Sequence, residues 1–182
     1  MNKLQTTNYK LQTRGFSLVE TLVAVGILAV AVVGALTAAQ SGISSSIFSK
    51  DQVVAIYLAQ EGVEKIRSIR DENALNDEHW LTGISANVSD PCYFGNYCYV
   101  DALFSSTPVR CSGGEGSCPR LRQDSDTDFY GYDIIWDETQ FRREILLRSI
   151  NEKEISILVT VDWSKGSITR RLIVRENILN WQ

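Results

Sequence analysis

Phe16–Ala39 reads FSLVETLVAVGILAVAVVGALTAA, a run in which Glu20 is the only charged residue. As a helix it would rise about 1.5 Å per residue and span roughly 36 Å, enough to cross the hydrocarbon core of a bilayer. The segment before it, Met1 to Gly15, carries Lys3, Lys10 and Arg14 and no acidic residue. Basic residues ahead of a span hold that end in the cytoplasm, so everything after the span is expected to be exported. The carboxylate needs a reason of its own, because a charge inside a spanning helix is costly and usually has an assigned partner.

A secretory signal peptide has a shorter apolar run and a small-residue cleavage site beyond it, for which Thr37-Ala38-Ala39 would serve. A plain uncleaved anchor also fits the length. Neither gives Glu20 a role. Arg14-Gly15-Phe16-Ser17-Leu18-Val19-Glu20, followed by the unbroken apolar run, resembles the processing motif of type IV prepilins and type II secretion pseudopilins. The resemblance implies that prepilin peptidase cuts between Gly15 and Phe16 and methylates the new Phe16 amine. It further implies that Glu20 of an incoming subunit meets the Phe16 amine of one already in a filament. The expected partners are therefore other pilin or pseudopilin subunits, prepilin peptidase, an inner-membrane assembly platform and membrane lipid. The implied location is the bacterial inner membrane, as a single-pass protein with a cytoplasmic N-terminus, and then a cell-surface or periplasmic filament.

Beyond the span, Gly42–Ser49 is Ser-rich, and Ser49-Lys50-Asp51-Gln52 has the form of a capping box. The sequence allows a kink and restart at Lys50, whereas the resemblance implies one continuous helix. From Asp51 to Arg70 an apolar stripe of Ile56, Ala59, Val63 and Ile66, flanked by Ala55, Gly62 and Ile69, has helical spacing. Glu61–Lys65 and Glu64–Arg67 fall on its polar side.

The C-terminal third alternates instead. Ile155, Ile157, Val159, Val161 and Trp163 share one face of a period-two strand. Ser164–Ser167 supplies a turn, and Ile168–Ile178 returns as the second arm of a hairpin. Phe141–Ile150 reads as a third strand and Tyr132–Trp136 as a fourth. The fold class is thus α+β: a long N-terminal helix packed on a C-terminal antiparallel sheet, pilin-like. Its parts are a leader at 1–15, a membrane and assembly helix at 16–70, and an exported head at 71–182. The run from Val159 to Trp181 is similar to minor pilins of the PilV type, in which a strand ending in Trp precedes a closing strand.

The loop-rich stretch from Asn73 to Asp128 holds all four cysteines: Cys92, Cys98, Cys111 and Cys118. Export favours disulfides over thiols, and four cysteines allow three connectivities. Local pairing, Cys92 with Cys98 and Cys111 with Cys118, is preferred here over a zinc site, whose typical two-to-four-residue gaps are absent. Asp124, Asp126 and Asp128 open like an EF-hand loop, but Phe129 stands where glycine is required and Ile135 where the bidentate glutamate belongs. They make a weak calcium candidate, and no metal or other cofactor is expected. Tyr93, Phe94, Tyr97 and Tyr99 would either form a contact surface or pack the first cysteine loop onto the sheet.

Net charge is −4, and loss of the leader would leave 15 basic against 22 acidic residues, or −7. That balance argues against nucleic acid as a partner, although Arg142, Arg143, Arg170 and Arg171 could cluster. With one histidine, His79, no nucleophile, base and orienter set is legible, and catalysis is not expected. The functional reading is a minor type IV pilin. A pseudopilin of a type II secretion or DNA-uptake system is the alternative within the class. A membrane-anchored binding or sensor domain that never polymerises is the alternative outside it.

Overall fold

In a computed structural model of the chain, the described residues are 15–104 and 107–180. All of the leader before Gly15 lies outside them. The chain divides into two compact units, one ending at Phe48 and the other running from Ser49.

The first unit is the beginning of α1, which extends over Leu18–Leu75. Every residue from Gly15 to Ile47 is exposed. The side chains of Thr37 and Ser41 donate to the carbonyls of Val33 and Thr37, at 2.9 and 3.0 Å. Hydroxyls satisfied on their own helix cost little in an apolar surrounding. The helix passes through Gly42–Ser49 with every residue helical, so Ser49 lies in its interior and caps nothing. A serine-rich stretch does not by itself break a helix, because these hydroxyls can turn back onto it.

In the second unit, α1 continues five residues past Arg70. It ends in a Schellman arrangement in which Glu78 N donates to Asn73 O at 2.9 Å and Asp77 N to Ala74 O at 3.4 Å. Asp77 takes the left-handed position, with φ 57°, that glycine usually fills. The Asn73 amide then ties the turn down, donating to Trp80 O and Thr82 O.

Seven antiparallel strands form one sheet: β1 Tyr97–Tyr99, β2 Val109–Arg110, β3 Arg120–Gln123, β4 Tyr130–Gly131, β5 Asp137–Asn151, β6 Glu154–Lys165 and β7 Ile168–Leu179. β5 is the axis. It pairs with β6 along one side, and with both β3 and β1 along the other, while β7 adds to β6. The β6–β7 hairpin closes at Lys165 and Ile168 around Gly166, whose φ of 61° fits the first central position of a type II′ turn. Tyr132–Trp136 is not a strand. β4 ends at Gly131, and the apolar letters that follow belong to a turn in which Asp133 Oδ1 accepts from Ile135 N. The loop-rich stretch contains three short strands, β1 to β3, too brief to show periodicity in the sequence.

α1 after Ser49 packs on the sheet through Ala55, Leu58, Ala59, Gly62, Val63, Ile66 and Ile69. Leu58 takes the place the stripe assigned to Ile56, which is exposed. Opposite them stand Ile145, Leu147, Ile155, Ile157, Val159 and Val161, each at most 1% exposed. Gly62 marks the closest approach. A Cβ there would lie 3.2 Å from Arg143 Cδ and 3.3 Å from Val159 Cγ1. The architecture is α+β and pilin-like, a long N-terminal helix packed through this half on a C-terminal antiparallel sheet.

Candidate processing and assembly site

Gly15, Phe16 and Ser17 stand ahead of α1, outside any helix or strand, with Phe16 77% exposed. Among the described residues, a Cβ on Gly15 would meet nothing within 4 Å, so no packing there requires glycine. The backbone freedom of glycine is instead what a protease closing on the Gly15–Phe16 bond would use. Ser17 O accepts the first helical bond, from Thr21 N at 3.1 Å, which makes Ser17 the N-cap and Glu20 the third helical residue. Ser17-Leu18-Val19-Glu20 thus has the capping-box pattern, and the carboxylate stands where the helix dipole favours negative charge. The same pattern recurs at Ser49-Lys50-Asp51-Gln52, where the helix runs through it without a start. Phe16 and Glu20 sit one helical turn apart, both open to solvent and to any neighbouring chain.

The other candidate residues lie in the second unit. Cys92 is bonded to Cys98 and Cys111 to Cys118, with Cα separations of 5.2 and 4.9 Å. The second loop lies over the sheet face remote from α1. There the Glu144 carboxylate, 1% exposed, accepts from Gly116 N at 2.9 Å and Cys118 N at 3.0 Å. Arg171 pairs with Glu115 of this loop and with Asp162 of β6. Arg143, fully buried on the opposite face, donates to Leu58 O at 3.0 Å, Val100 O at 2.7 Å and Glu61. The four arginines therefore form no common patch: Arg143 serves the helix, and Arg171 is held between two carboxylates. Beside Arg143 the Tyr132 phenol is enclosed, and burial pushes it up to about 12.

Tyr93, Phe94, Tyr97 and Tyr99 are all half-buried. Tyr93 stacks near Phe94, and Tyr99 near Tyr132 with ring centroids 4.5 Å apart. In the acidic loop, Asp124 accepts from Thr127 Oγ1 at 2.6 Å and from Asp126 N at 3.2 Å. The Thr127 hydroxyl and the Asp126 amide hold its carboxyl below the usual carboxylate value. Asp128 Oδ1 accepts from Gln123 at 3.1 Å. These carboxylates bind their own loop, and among the described residues no group of three or more His, Cys, Asp or Glu side chains is gathered for a metal. His79 Nδ1 accepts from Leu81 N at 3.3 Å.

A family model, the prokaryotic N-terminal methylation motif, matches residues 11–36. The match covers Gly15, Phe16 and Glu20 and all but the last three residues of the apolar run Phe16–Ala39. It indicates a type IV pilin-like prepilin. With the long apolar helix it supports the superfamily of type IV pilins and pseudopilins. A motif of this class implies other pilin subunits and prepilin peptidase as partners. No curated protein and no solved structure matches the chain. The helix is long and apolar enough in its first part to fit a single-pass membrane anchor.

Proposed function

We propose that the chain is a minor type IV pilin, cut by prepilin peptidase between Gly15 and Phe16 and built into a pilus-like filament through its N-terminal helix. The observation that carries this reading is the methylation motif set directly before an apolar helix whose every residue to Ile47 is exposed. Cleavage there removes the basic leader and retains the hydrophobic segment, the reverse of secretory processing. The new α-amine at Phe16 has an ordinary pKa of about 7.7–8.0 and is therefore largely cationic at neutral pH. In an apolar surrounding neither that cation nor the Glu20 carboxylate is tolerable alone, by several kcal/mol per ion. Pairing the amine of one subunit with the carboxylate of the next removes both costs and fixes axial register. The minor-pilin assignment over a pseudopilin is favoured by β6 ending near Trp163 and the closing strand β7.

The intact mass of the protein purified from its native membrane tests the processing step. Loss of residues 1–15 with addition of one methyl group is expected, and an unprocessed leader would overturn the reading.

A further inference from the structure

β7 is a long edge strand. Among the described residues it pairs with β6 alone, over twelve residues without a bulge, and it contains no proline. On the other side of β5 the sheet ends in β2 and β4, two residues each, and edges that short do not recruit another strand. The turn of the hairpin decides which backbone groups of β7 face outward. Lys165 and Ile168 close it as a hydrogen-bonded pair, so the even-numbered residues of β7 bond to β6, and Asn180 N keeps this alternation by donating to Lys153 O at 2.7 Å. The N–H and C=O groups of Thr169, Arg171, Ile173, Arg175 and Asn177 therefore point away from β6, along roughly 27 Å of edge.

The next outward carbonyl, Leu179 O, is met by the Arg70 guanidinium at 3.3 Å, a side chain standing where a neighbouring strand would donate. There β7 and the last turns of α1 bound a groove of about 780 Å³, walled by Arg67, Ser68, Asp71 and Leu75 on the helix and by Asn177 and Leu179 on the strand. Its arginines are matched within the chain, Arg67 by Glu64 and Glu176 and Arg70 by Asp71, while the exposed Glu72 also lines it. An extended segment laid along β7 would run into this groove.

Register sets the side chains that such a segment would meet. On the sheet face remote from α1, Ile173 is 53% exposed and Arg175 lies opposite Leu158. Arg175 makes no ion pair among the described residues. The carboxylates around it are engaged elsewhere: Glu154 by Asn151 and Asn177, Glu176 by Arg67, and Asp162 and Glu115 by Arg171. On the face toward α1, Leu172 and Val174 are half-buried. The segment that fits is apolar at its centre and carries a carboxylate opposite Arg175. A second copy of β7 does not fit, because antiparallel pairing centred on Ile173 sets Arg171 against Arg175 twice.

We propose that β7 accepts a strand from a different pilin-class subunit, added edge to edge, with apolar side chains against Ile173 and Val174 and a carboxylate against Arg175. This rests on the filament reading above and adds to it a contact between unlike heads, separate from the N-terminal helix. Main-chain hydrogen bonds supply its affinity and the charge on Arg175 its register.

The test uses the full chain in its native cells, with a photoreactive benzophenone amino acid in place of Ile173 and, separately, of Asn177. After illumination, adducts are purified from sheared filaments and the joined residues are mapped by mass spectrometry. Both probes are expected to join one other pilin-class subunit, at residues four apart on that partner, as two strands in register require. Arg175→Pro is the discriminating variant, since it removes an outward N–H and no bond to β6. It should lower the adduct by about tenfold or more, Arg175→Ala by about threefold, and Arg175→Lys little, with the denaturation midpoint measured for each. Should Arg175→Pro unfold the head, the four-residue step decides alone. Equal adducts from Arg175→Pro and Arg175→Ala, partner residues without that step, adducts with a second copy or with a protein outside the pilin class, or filaments without adducts would each overturn the contact and leave the filament reading standing. A chain found only in the membrane fraction with its leader intact would overturn the filament reading, and the contact with it.

Discussion

Replacing Gly62 with alanine sets two effects of known sign against each other. In an exposed helix interior, alanine is better than glycine by about 1 kcal/mol. Here the new Cβ would stand 3.2 Å from Arg143 Cδ and 3.3 Å from Val159 Cγ1, several tenths of an ångström inside ordinary contact. Neither neighbour is free to yield. Val159 is β-branched, fully buried and in the middle of the six-to-seven hairpin. The Arg143 stem is fixed because its guanidinium is bound to Leu58 O, Val100 O and Glu61. Forcing a methyl group into such a site costs about 1–3 kcal/mol. The overpacking therefore wins, and Gly62→Ala should destabilise the head by about 1 kcal/mol after the propensity gain is subtracted. Urea denaturation of the full chain in micelles, followed by tryptophan fluorescence, reads this as a lower midpoint at unchanged slope. Ser68→Ala, on the exposed side of the same helix, should instead raise the midpoint slightly. A rise in stability for Gly62→Ala comparable to the propensity gain would refute the close approach of helix to sheet at this residue.

Glu144→Ala should leave the buried Cys118 amide and the part-buried Gly116 amide of the Cys111–Cys118 loop without acceptors and cost about 2–4 kcal/mol, with faster amide exchange at Gly116 and Cys118 as the specific sign. The Tyr132 phenol is held neutral by burial up to about 12 against an unfolded value near 10.0. The folded state therefore keeps its proton where the unfolded state loses it, so stability is intact below pH 10 and falls as pH rises from there toward 12. Tyr132→Phe should flatten that alkaline decline in a pH series of denaturation midpoints. Glu20→Ala should still yield the processed, methylated chain but lose it from sheared filaments, and normal incorporation would refute the amine–carboxylate pairing.

The apolar run at Phe16–Ala39 and the alternation at Ile155–Trp163 were legible because each keeps one period over many residues with one kind of neighbour. The helix stripe was half legible. Leu58 and Ile56 are two positions apart and both apolar, and only the sheet's position decides that Leu58 turns inward. Tyr132–Trp136 failed because Asp133 has a competing use for its side chain, capping the turn that follows it. Arg143 and Glu144 were opaque for a different reason. Adjacent on β5, they are buried on opposite faces, and their partners stand 82 and 26 residues away in Glu61 and Cys118. A strand covered on both sides by distant segments shows no alternation to read. At the N-terminus the processing motif is plain, and the helix-capping pattern of Ser17 and Glu20 lies inside the same letters.

The exposed apolar run Phe16–Ala39 has a thermodynamic consequence for a subunit assembled as proposed. Such a surface never meets bulk water; it exchanges lipid tails for the side chains of neighbouring helices. Those two surroundings are nearly equal in hydrophobicity, so the transfer itself has almost no hydrophobic driving force in either direction. Polymerisation then depends on side-chain packing and on the Glu20 pairing rather than on removal of apolar surface from water. Such a segment can leave the bilayer for a bundle of like helices, or return to it, with little change in the hydration of its side chains.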